Sequence, residues 1–270
     1  GEVVAVGSDV TGYSVGDRVA YIGAGSYSQY TAVSTTWVTK LPDNISYEKG
    51  AAILLQGLTA WTMIIKSYPV KKGDWVLIHA AAGGTGRWLV RLCKRAGAHV
   101  IGTVSSAQKE AIARADGADV VLNYSAQPSE VAEGDVAVDR RLLRDIMDAT
   151  DGKGVHAALD GVGRRTFDLS LSALRRLGTL ITFGNASGPV PPVDVLRLSK
   201  GNYRLMRTTL FQYITTREEF DEYAQPLLNA VAADELDVPI CAEFPLAEAA
   251  KAHEFIEGRN TTSKIVLKID

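Results

Sequence analysis

The stretch Asp74-Trp75-Val76-Leu77-Ile78-His79-Ala80-Ala81-Ala82-Gly83-Gly84-Thr85-Gly86 decides the fold of this chain. Its apolar run, Val76 to Ala80, is typical of a strand that is buried on both faces of a parallel sheet. The glycines predict a tight turn, and a pattern with apolar residues on one helical face begins at Arg87 and ends at Gly97. The stretch therefore predicts a strand, a turn and the N-terminus of a helix.

A glycine turn at a helix N-terminus can bind a phosphate group. It offers unpaired backbone N–H groups and lets a nucleotide pyrophosphate approach the main chain closely. Aligned on the dinucleotide-binding fingerprint, the turn reads Ala81-Ala82-Gly83-Gly84-Thr85-Gly86, with alanine at the first glycine position. A purely structural connection is the alternative. The nucleotide is favoured because a strand at His99 to Val104, a helix at Ala107 to Ala115 and a strand at Asp119 to Asn123 complete a βαβαβ unit.

Length and composition narrow the class of protein. The 270 residues, of which 46% are hydrophobic, suffice for two domains or one large one. The net charge of −2 gives no general reason to expect nucleic acid or an anionic membrane as a partner. No apolar run in the sequence reaches membrane-spanning length, and Cys93 and Cys241 are too few for a disulfide framework. We therefore expect a cytoplasmic protein with reduced thiols.

A second set of alternating helices and strands follows the first. An irregular, solvated stretch is predicted at Ser125 to Arg140, before the second half of a doubly wound sheet. Because parallel strands end at one edge of a sheet, the turns at Gly161 and Gly184 are expected on the rim of one crevice. The predicted elements are a helix at Asp139 to Thr150, a strand at Val155 to Leu159, a helix at Arg164 to Leu177, a strand at Thr179 to Phe183 and a last strand at Tyr203 to Phe211.

The two ends of the chain have a different pattern. Glycine-punctuated strands are predicted at Glu2 to Val6, Asp17 to Ile22 and Ser28 to Val33, before a helix that begins near Ser46. Towards the other end, Thr216-Arg217-Glu218-Glu219 is a capping box that begins a helix, and Pro226 is expected to kink or end that helix. The remaining elements are predicted as a strand at Pro239 to Leu246, a helix at Ala247 to Gly258 and a strand at Lys264 to Ile269.

Four short motifs along the chain match one family pattern. They are Gly16-Asp17-Arg18-Val19-Ala20, Lys40-Leu41-Pro42, Gln56-Gly57-Leu58-Thr59-Ala60 and Ala82-Gly83-Gly84-Thr85-Gly86. In these motifs the chain resembles the medium-chain dehydrogenase/reductase superfamily, and more narrowly its zinc-independent quinone oxidoreductase branch, which includes zeta-crystallin. The resemblance implies a Rossmann domain at residues 46–211 and a β-rich GroES-like domain at residues 1–45 and 212–270. It also leads us to expect that an N-terminal segment of a usual family member is absent here.

The end of the second strand bears on the choice of cofactor. In an NAD site, a carboxylate there accepts hydrogen bonds from the ribose 2′-hydroxyl. Here the strand is followed by Ser105-Ser106-Ala107-Gln108-Lys109, which contains no acid. Its hydroxyls and its lysine suit a 2′-phosphate. Ser106 could also cap the next helix and Lys109 could simply be solvated, although a cap and a phosphate contact are compatible. The sequence therefore favours NADPH, with Ser105 and Lys109 among its contacts.

The resemblance implies further contacts to NADPH. Each has a plain structural alternative, since Thr59 could simply face outward on a helix, Tyr124 could close a strand end and Lys264 could be solvated. No catalytic residue is assigned, although Thr59 is a candidate for the nicotinamide pocket. The implied cofactor-binding residues, besides Ser105 and Lys109, are Thr59, Gly83, Gly84, Thr85, Gly86, Tyr124, Gly161, Phe183, Gly184, Asn185, Phe211 and Lys264.

A bound metal is not expected. A zinc site needs three or four thiolate, imidazole or carboxylate ligands, and the four histidines lie on separate predicted elements without ligand spacing. The loop between Arg18 and Tyr30 is short and rich in glycine and serine, and Gln56 stands near where zinc-dependent relatives supply a cysteine ligand. Without zinc to polarise an alcohol, reduction of an acceptor that stabilises its own negative charge is favoured.

The function that the resemblance implies is NADPH-dependent reduction of a quinone. One alternative is the reduction of α,β-unsaturated carbonyl compounds. Another is a non-catalytic, crystallin-like protein that binds NADPH and RNA. The resemblance also implies a homodimer, joined through the edge strand at Tyr203 to Phe211, which as an edge offers unpaired backbone groups to a second copy.

Overall fold

The structure, a computed structural model, describes residues 1–126, 138–258 and 261–269. The chain divides into two compact units, one formed by Gly1–Trp61 with Leu210–Asp270 and the other by Thr62–Thr209. These units differ from the expected domain division mainly at residues 46–61, which they group with the first unit. The domain division itself stays a prediction. Most of the irregular stretch expected at 125–140 lies outside the described residues.

Ten strands and seven α-helices are described in these residues. The strands are β1 (Val19–Tyr21), β2 (Val38–Lys40), β3 (Trp75–Ile78), β4 (His99–Val104), β5 (Val120–Asn123), β6 (Val155–Asp160), β7 (Leu174–Thr182), β8 (Arg204–Arg207), β9 (Ile240–Pro245) and β10 (Lys264–Lys268). The helices are α1 (Tyr47–Thr62), α2 (Gly84–Arg95), α3 (Ala107–Ala115), α4 (Arg140–Ala149), α5 (Phe167–Ser172), α6 (Arg217–Ala232) and α7 (Ala249–Glu257). None of the helices that the structure describes is long and apolar enough to cross a bilayer.

The second unit contains the predicted doubly wound sheet. Its six strands lie in the order β5-β4-β3-β6-β7-β8, and every neighbouring pair is parallel. The strand order reverses between β3 and β6, which is the switch point where such sheets bind ligands. The central strands are apolar on both faces, because consecutive residues of β3, β6 and β7 expose no surface: Val76 to Ile78, Ala157 to Leu159, and Leu180 with Ile181. The prediction of a Rossmann-type parallel sheet is therefore confirmed.

Two predicted elements of this unit are much shorter than expected. The helix expected at Arg164 to Leu177 is only the six-residue α5, because the chain from Leu174 onward pairs with β6 as part of β7. A register shift accompanies the left-handed conformation of Leu177, with φ of 65°, and this local bend allows the early pairing. The last strand is β8 alone, and Phe211 lies beyond it in a 3₁₀ turn.

The first unit contains two small sheets. β1 and β2 pair antiparallel, while β9 and β10 pair parallel. The strand predicted at Glu2 to Val6 is reduced to a single bridge between Glu2 and Arg18. The strand predicted at Ser28 to Val33 was wrong, since those residues are mostly exposed and pair with no described strand. Backbone polar groups that remain in water do not require a ladder partner.

Helix α6 begins at the predicted capping box. The Thr216 hydroxyl oxygen accepts a hydrogen bond from the N–H of Glu219, 3.2 Å away, and the Glu219 carboxylate accepts one in return from the Thr216 N–H. The helix continues through Pro226, so of the two expected outcomes the end does not occur, and the kink stays a prediction. Tertiary burial offsets the missing N–H, because Phe220 and Leu227 on this helix have no exposed surface.

Candidate functional site

The glycine turn connects β3 to α2 with almost no space for side chains. The N–H of Gly83 donates to the carbonyl of Ala80 at 2.8 Å, and the N–H of Ala81 donates to that of Thr103 at 3.1 Å. A Cβ atom added at Gly86 would overlap the carbonyl oxygen of Ala80. Helix α2 begins at Gly84, three residues before the predicted start, so the glycines themselves form its first turn.

This arrangement leaves a backbone cradle at the carboxyl end of β3. The first N–H groups of an α-helix have no partner inside the helix, and in α2 they belong to the glycine-rich segment Gly84 to Gly86. A phosphate can approach them closely because the glycines carry no side chains. The residues present therefore fit the pyrophosphate of a dinucleotide.

The end of β4 presents the residues that were expected to read the 2′-phosphate. The ammonium group of Lys109 lies 3.4 Å from the hydroxyl of Ser105, and both residues are half-buried. The Ser106 hydroxyl oxygen caps α3 by accepting the N–H of Lys109 at 3.2 Å. Tyr124 follows β5, where its backbone N–H donates to the carbonyl of Val104 at 3.1 Å and its side chain is exposed. The structure thus brings Ser105 and Lys109 together.

The ends of β6 and β7 form a second glycine-rich rim. A Cβ at Gly161 would come within 2.8 Å of the Phe183 ring, and a Cβ at Gly184 would overlap the carbonyl oxygen of Gly161. The predicted residues Gly161, Phe183 and Gly184 are therefore in direct contact. Asn185 follows them, and its side-chain oxygen lies 3.3 Å from the Arg207 guanidinium, which also donates to the carbonyl of Gly184 at 3.0 Å. The sequence reasoning did not identify Arg207.

A buried polar group beneath this rim was also missed. His79, at the end of β3, is 2% exposed, and its Nδ1 and Nε2 atoms lie 2.9 Å from the hydroxyls of Thr103 and Ser170. Burial lowers the pKa of His79, and the charge of Asp160 opposes this shift only in part. The sequence does carry a signal for it, since His79 and Asp160 interrupt two apolar runs at the same end of neighbouring strands.

Three of the expected cofactor residues lie in the first unit. The Thr59 hydroxyl donates to the carbonyl of Leu55 at 2.6 Å, one turn back on α1. The Phe211 ring packs against Trp37 with ring centroids 5.1 Å apart. Lys264 begins β10, where burial lowers the pKa of its ammonium group. Their role as cofactor contacts stays a prediction.

The described side chains also bear on metal binding. Among residues 1–126, 138–258 and 261–269, no group of three or more His, Cys, Asp or Glu side chains is arranged to hold a metal ion. The expectation that the protein works without a metal stays a prediction.

The sheet order and the glycine turn at its switch point define a dinucleotide-binding protein of the Rossmann type. The zinc-binding dehydrogenase family matches residues 84–230, and the alcohol dehydrogenase GroES-like domain family matches residues 1–43. The chain belongs to the quinone oxidoreductase branch of the medium-chain dehydrogenase/reductase superfamily. The resemblance drawn from the four sequence motifs is confirmed.

Individual relatives match over nearly all of this chain. A protein of Schizosaccharomyces pombe named "Probable quinone oxidoreductase" is 42% identical over 269 residues, which is 99% of this chain and 77% of the relative. The 2-haloacrylate reductase of a Burkholderia species is 37% identical over 98% of this chain and 78% of its own length. A mycobacterial protein solved in complex with NADPH superimposes with a TM-score of 0.91, at 40% identity, over 99% of this chain and 80% of that chain.

Proposed function

We propose that this protein binds NADPH and reduces a small quinone. The observation that carries the proposal is the backbone cradle at Gly84 to Gly86, which lies at the switch point of the sheet and leaves no space for a side chain at Gly86. The relative named as a quinone oxidoreductase and the neighbour solved with NADPH support the acceptor and the cofactor.

The preference for NADPH over NADH is proposed to depend on Lys109 and Ser105. The ammonium group and the hydroxyl lie 3.4 Å apart at the end of β4, where an NAD site places a carboxylate. A charge-assisted hydrogen bond to the 2′-phosphate is stronger than one between neutral groups. We expect this pair to bind the phosphate that distinguishes the two cofactors.

The proposed reaction needs little general acid or base catalysis by side chains. When bound, NADPH supplies a hydride, and the quinone takes up this hydride and one proton to become a hydroquinone. A quinone delocalises the negative charge that it receives, so the protein must mainly orient the reactants and exclude water. The rim at Gly161 and Gly184 is the part of the second unit that we propose for the nicotinamide end. The proposed roles of Thr59, Phe211 and Lys264 rest on the resemblance alone.

A fluorescence titration tests the cofactor site. Wild type should bind NADPH more tightly than NADH, and Lys109→Ala should weaken NADPH binding roughly tenfold while NADH binding changes little. Lys153→Ala, an exposed lysine of the same unit, is the matched control and should behave like wild type. Equal binding of the two cofactors by wild type would contradict the proposed role of Lys109 and Ser105.

A turnover assay tests the acceptor. Consumption of NADPH with ortho- and para-quinones, while binding is intact, is the expected result. The Burkholderia relative favours the second candidate, the reduction of an alkene next to a carbonyl or carboxyl group, because its name specifies such a substrate. Turnover with enones or acrylates but not with quinones would therefore replace the first candidate by the second. Tight NADPH binding without any turnover would favour the non-catalytic alternative, which RNA retention that NADPH displaces would then test.

The proposal includes a homodimer that pairs through β8. This strand is the last in the order of the described strands, so one of its edges has no neighbouring strand among them. Met206 on β8 is 36% exposed. The N–H of Thr208 donates to Thr182 of β7, so alternate residues of β8 face β7 and the N–H of Leu205 faces the open edge. Sedimentation should give twice the mass of the chain, and Leu205→Pro, which removes this edge N–H, should shift the protein towards monomer. A wild-type monomer at micromolar concentration would contradict the dimer.

A further inference from the structure

A line of buried hydrogen bonds crosses the carboxyl ends of three neighbouring strands. It begins at Thr103 on β4, passes through His79 after β3 and Ser170 on α5, and ends at Asp160 on β6. The donor and acceptor atoms of successive groups lie 2.9, 2.9 and 3.0 Å apart. Because all four residues are buried, water cannot replace these bonds.

The directions of the protons follow from the last group. The Asp160 carboxylate and the Thr166 carbonyl, 3.0 and 2.8 Å from the Ser170 hydroxyl, both only accept hydrogen bonds, so the single proton of Ser170 is donated to this pair and not to His79. Ser170 then accepts the Nε2 proton of neutral His79. The Nδ1 atom of His79 carries no proton and accepts from the hydroxyl of Thr103. Every group in the line is satisfied by this assignment.

Asp160 also fixes the turn that follows β6. Its Oδ1 atom accepts the N–H groups of Val162 and Gly163 at 2.8 and 3.0 Å, and both carboxylate oxygens lie 2.8 Å from the hydroxyl of Thr166. Asp160 has no exposed surface, and among the residues that the structure describes no cation pairs with it. Its charge is held by neutral donors alone, an arrangement that costs free energy and that an apolar residue would avoid.

The turn 161–163 also holds the loop after β7 in place. The carbonyl of Val162 accepts both the N–H and the hydroxyl of Ser187 at 2.8 Å, and the carbonyl of Gly188 accepts the N–H of Arg164 at 3.1 Å. At the other end of the line, the carbonyl of Thr103 accepts the N–H of Ala81 in the glycine turn. Hydrogen bonds therefore link the Asp160 carboxylate to the rim at Gly161 and Gly184 on one side. Through Ser170, His79 and Thr103 they link it to the glycine turn on the other side.

We propose that Asp160 is a positioning residue, which holds the turn 161–163 and the loop 184–188 in register with the glycine turn through His79 and Thr103. This inference rests on the proposed function, in which the cradle takes the pyrophosphate and the second rim takes the nicotinamide end. Asp160 acts through the backbone of this rim and transfers no proton or hydride itself. Its negative charge strengthens the hydrogen bonds to the two turn amides.

The variant Asp160→Asn tests the inference, because it keeps the size and removes the charge. Its amide group can donate to Ser170, whose hydroxyl can turn to the carbonyl of Thr166, so the fold can be retained. We expect kcat to fall roughly tenfold, because small misplacements of reactants are costly, while the Kd for NADPH changes less than about threefold. We also expect faster amide hydrogen exchange in the segment 161–188.

The matched control is Asp74→Asn at the opposite end of β3. Asp74 is also a buried carboxylate that accepts one backbone N–H and one hydroxyl, from Lys71 and Tyr68. This variant should lower the melting temperature without changing kcat or the exchange of segment 161–188. If Asp160→Asn likewise changes only the melting temperature, Asp160 is merely structural and the inference is overturned. If Asp160→Asn does not fold, Ser170→Ala must give a smaller loss of kcat at unchanged NADPH affinity, and unchanged kcat would overturn the inference.

Failure of the proposed function gives a different result. In that case wild type itself turns over no quinone or enone, and hydrogen exchange alone tests whether Asp160 is a positioning residue. NADPH should slow exchange at 161–163 and 186–188 in wild type and in Asp74→Asn, and slow it much less in Asp160→Asn. Equal protection by NADPH in all three proteins would overturn the positioning role of Asp160 whether or not the protein is an enzyme.

Discussion

The two ends of the strand pair β3 and β6 each carry one aspartate and one histidine, in very different surroundings. At the carboxyl end, Asp160 and His79 are enclosed and are bonded to hydroxyls and turn amides. At the amino end, Asp74 and His156 are less deeply buried, and the His156 Nδ1 atom accepts the N–H of Trp75 at 2.9 Å. The Arg175 guanidinium contacts the Nε2 atom of the same ring.

The difference separates a structural end of the sheet from a functional one. The polar groups at the amino end bond to residues near the starts of the strands, namely Tyr68, Lys71, Trp75 and Arg175. Burial and the nearby charge of Asp74 raise the pKa of Tyr68 to about 12. The polar groups at the carboxyl end connect three strands and lead into two glycine turns. Ligands of open parallel sheets bind beyond the carboxyl ends, so the same residue types acquire a different use there.

Removal of the two carboxylates should give the largest effect. Asp160→Ala leaves two turn amides without their acceptor and reduces the acceptors of the Ser170 and Thr166 hydroxyls to backbone carbonyls, and we expect a loss of about 3–5 kcal/mol in the free energy of unfolding. Asp74→Ala leaves one amide and one phenol, with a loss of about 1–3 kcal/mol. Urea denaturation measures both values. Equal losses would contradict the comparison.

Two glycines give the next test. A Cβ at Gly86 would overlap the carbonyl of Ala80, and a Cβ at Gly154, which has φ of 79°, would lie 2.6 Å from that of Ala173. Gly86→Ala and Gly154→Ala should each cost about 1–3 kcal/mol of stability. Only Gly86→Ala should also abolish NADPH binding under conditions where both variants are folded. Loss of NADPH binding in Gly154→Ala would show that the amino end also matters for the cofactor.

The histidines predict a moderate dependence of stability on pH. Burial lowers the pKa of both His79 and His156 in the folded protein, so the unfolded chain takes up more protons as pH falls below about 6.5. Stability should be fully present above this pH and decline below it. His79→Gln should flatten the decline more than His156→Gln, because His79 is the more completely buried. Melting temperatures between pH 7.5 and 5 measure this, and a melting temperature that rises on acidification would contradict it.

The smallest effect is expected from two arginines. Arg207→Ala removes exposed hydrogen bonds to Gly184 and Asn185, so we expect a change of roughly twofold to fivefold in kcat/KM and little change in stability. Arg175→Ala, at the amino end, should leave kcat/KM unchanged. Steady-state assays with NADPH and a quinone measure both. An effect of Arg175→Ala as large as that of Arg207→Ala would contradict the division between the two ends.

Local patterns predicted much of the fold correctly. The bounds of β4 and α3 match the predicted residues, because β4 is buried from Val100 to Val104 and Ser106 marks the helix start. The predicted helix before Gly178 failed because its last residues pair with β6, and sequence periodicity does not report such pairing. The strand at Ser28 to Val33 failed for the opposite reason, since its pattern found no partner among the described strands.

The candidate site likewise has one part that the sequence predicted and one part that it did not. The glycine turns and the Ser105 and Lys109 pair follow from motifs that are short and local. The line from Thr103 to Asp160 does not, because His79 lies 24 residues from Thr103 and 91 residues from Ser170 in sequence. Only the order of strands in the sheet brings these groups together, so they become visible once the structure is known.

Hydrogen exchange of the wild-type protein with and without NADPH tests the central claim most directly. The claim is that the carboxyl ends of β3, β4, β6 and β7 bind the cofactor and that the amino ends do not. We predict slower exchange on NADPH addition in segments 81–86, 105–109, 161–163 and 184–188, and no change in segments 71–75 and 153–156. Protection confined to the amino-end segments, or absent from both sets at saturating NADPH, would contradict the account.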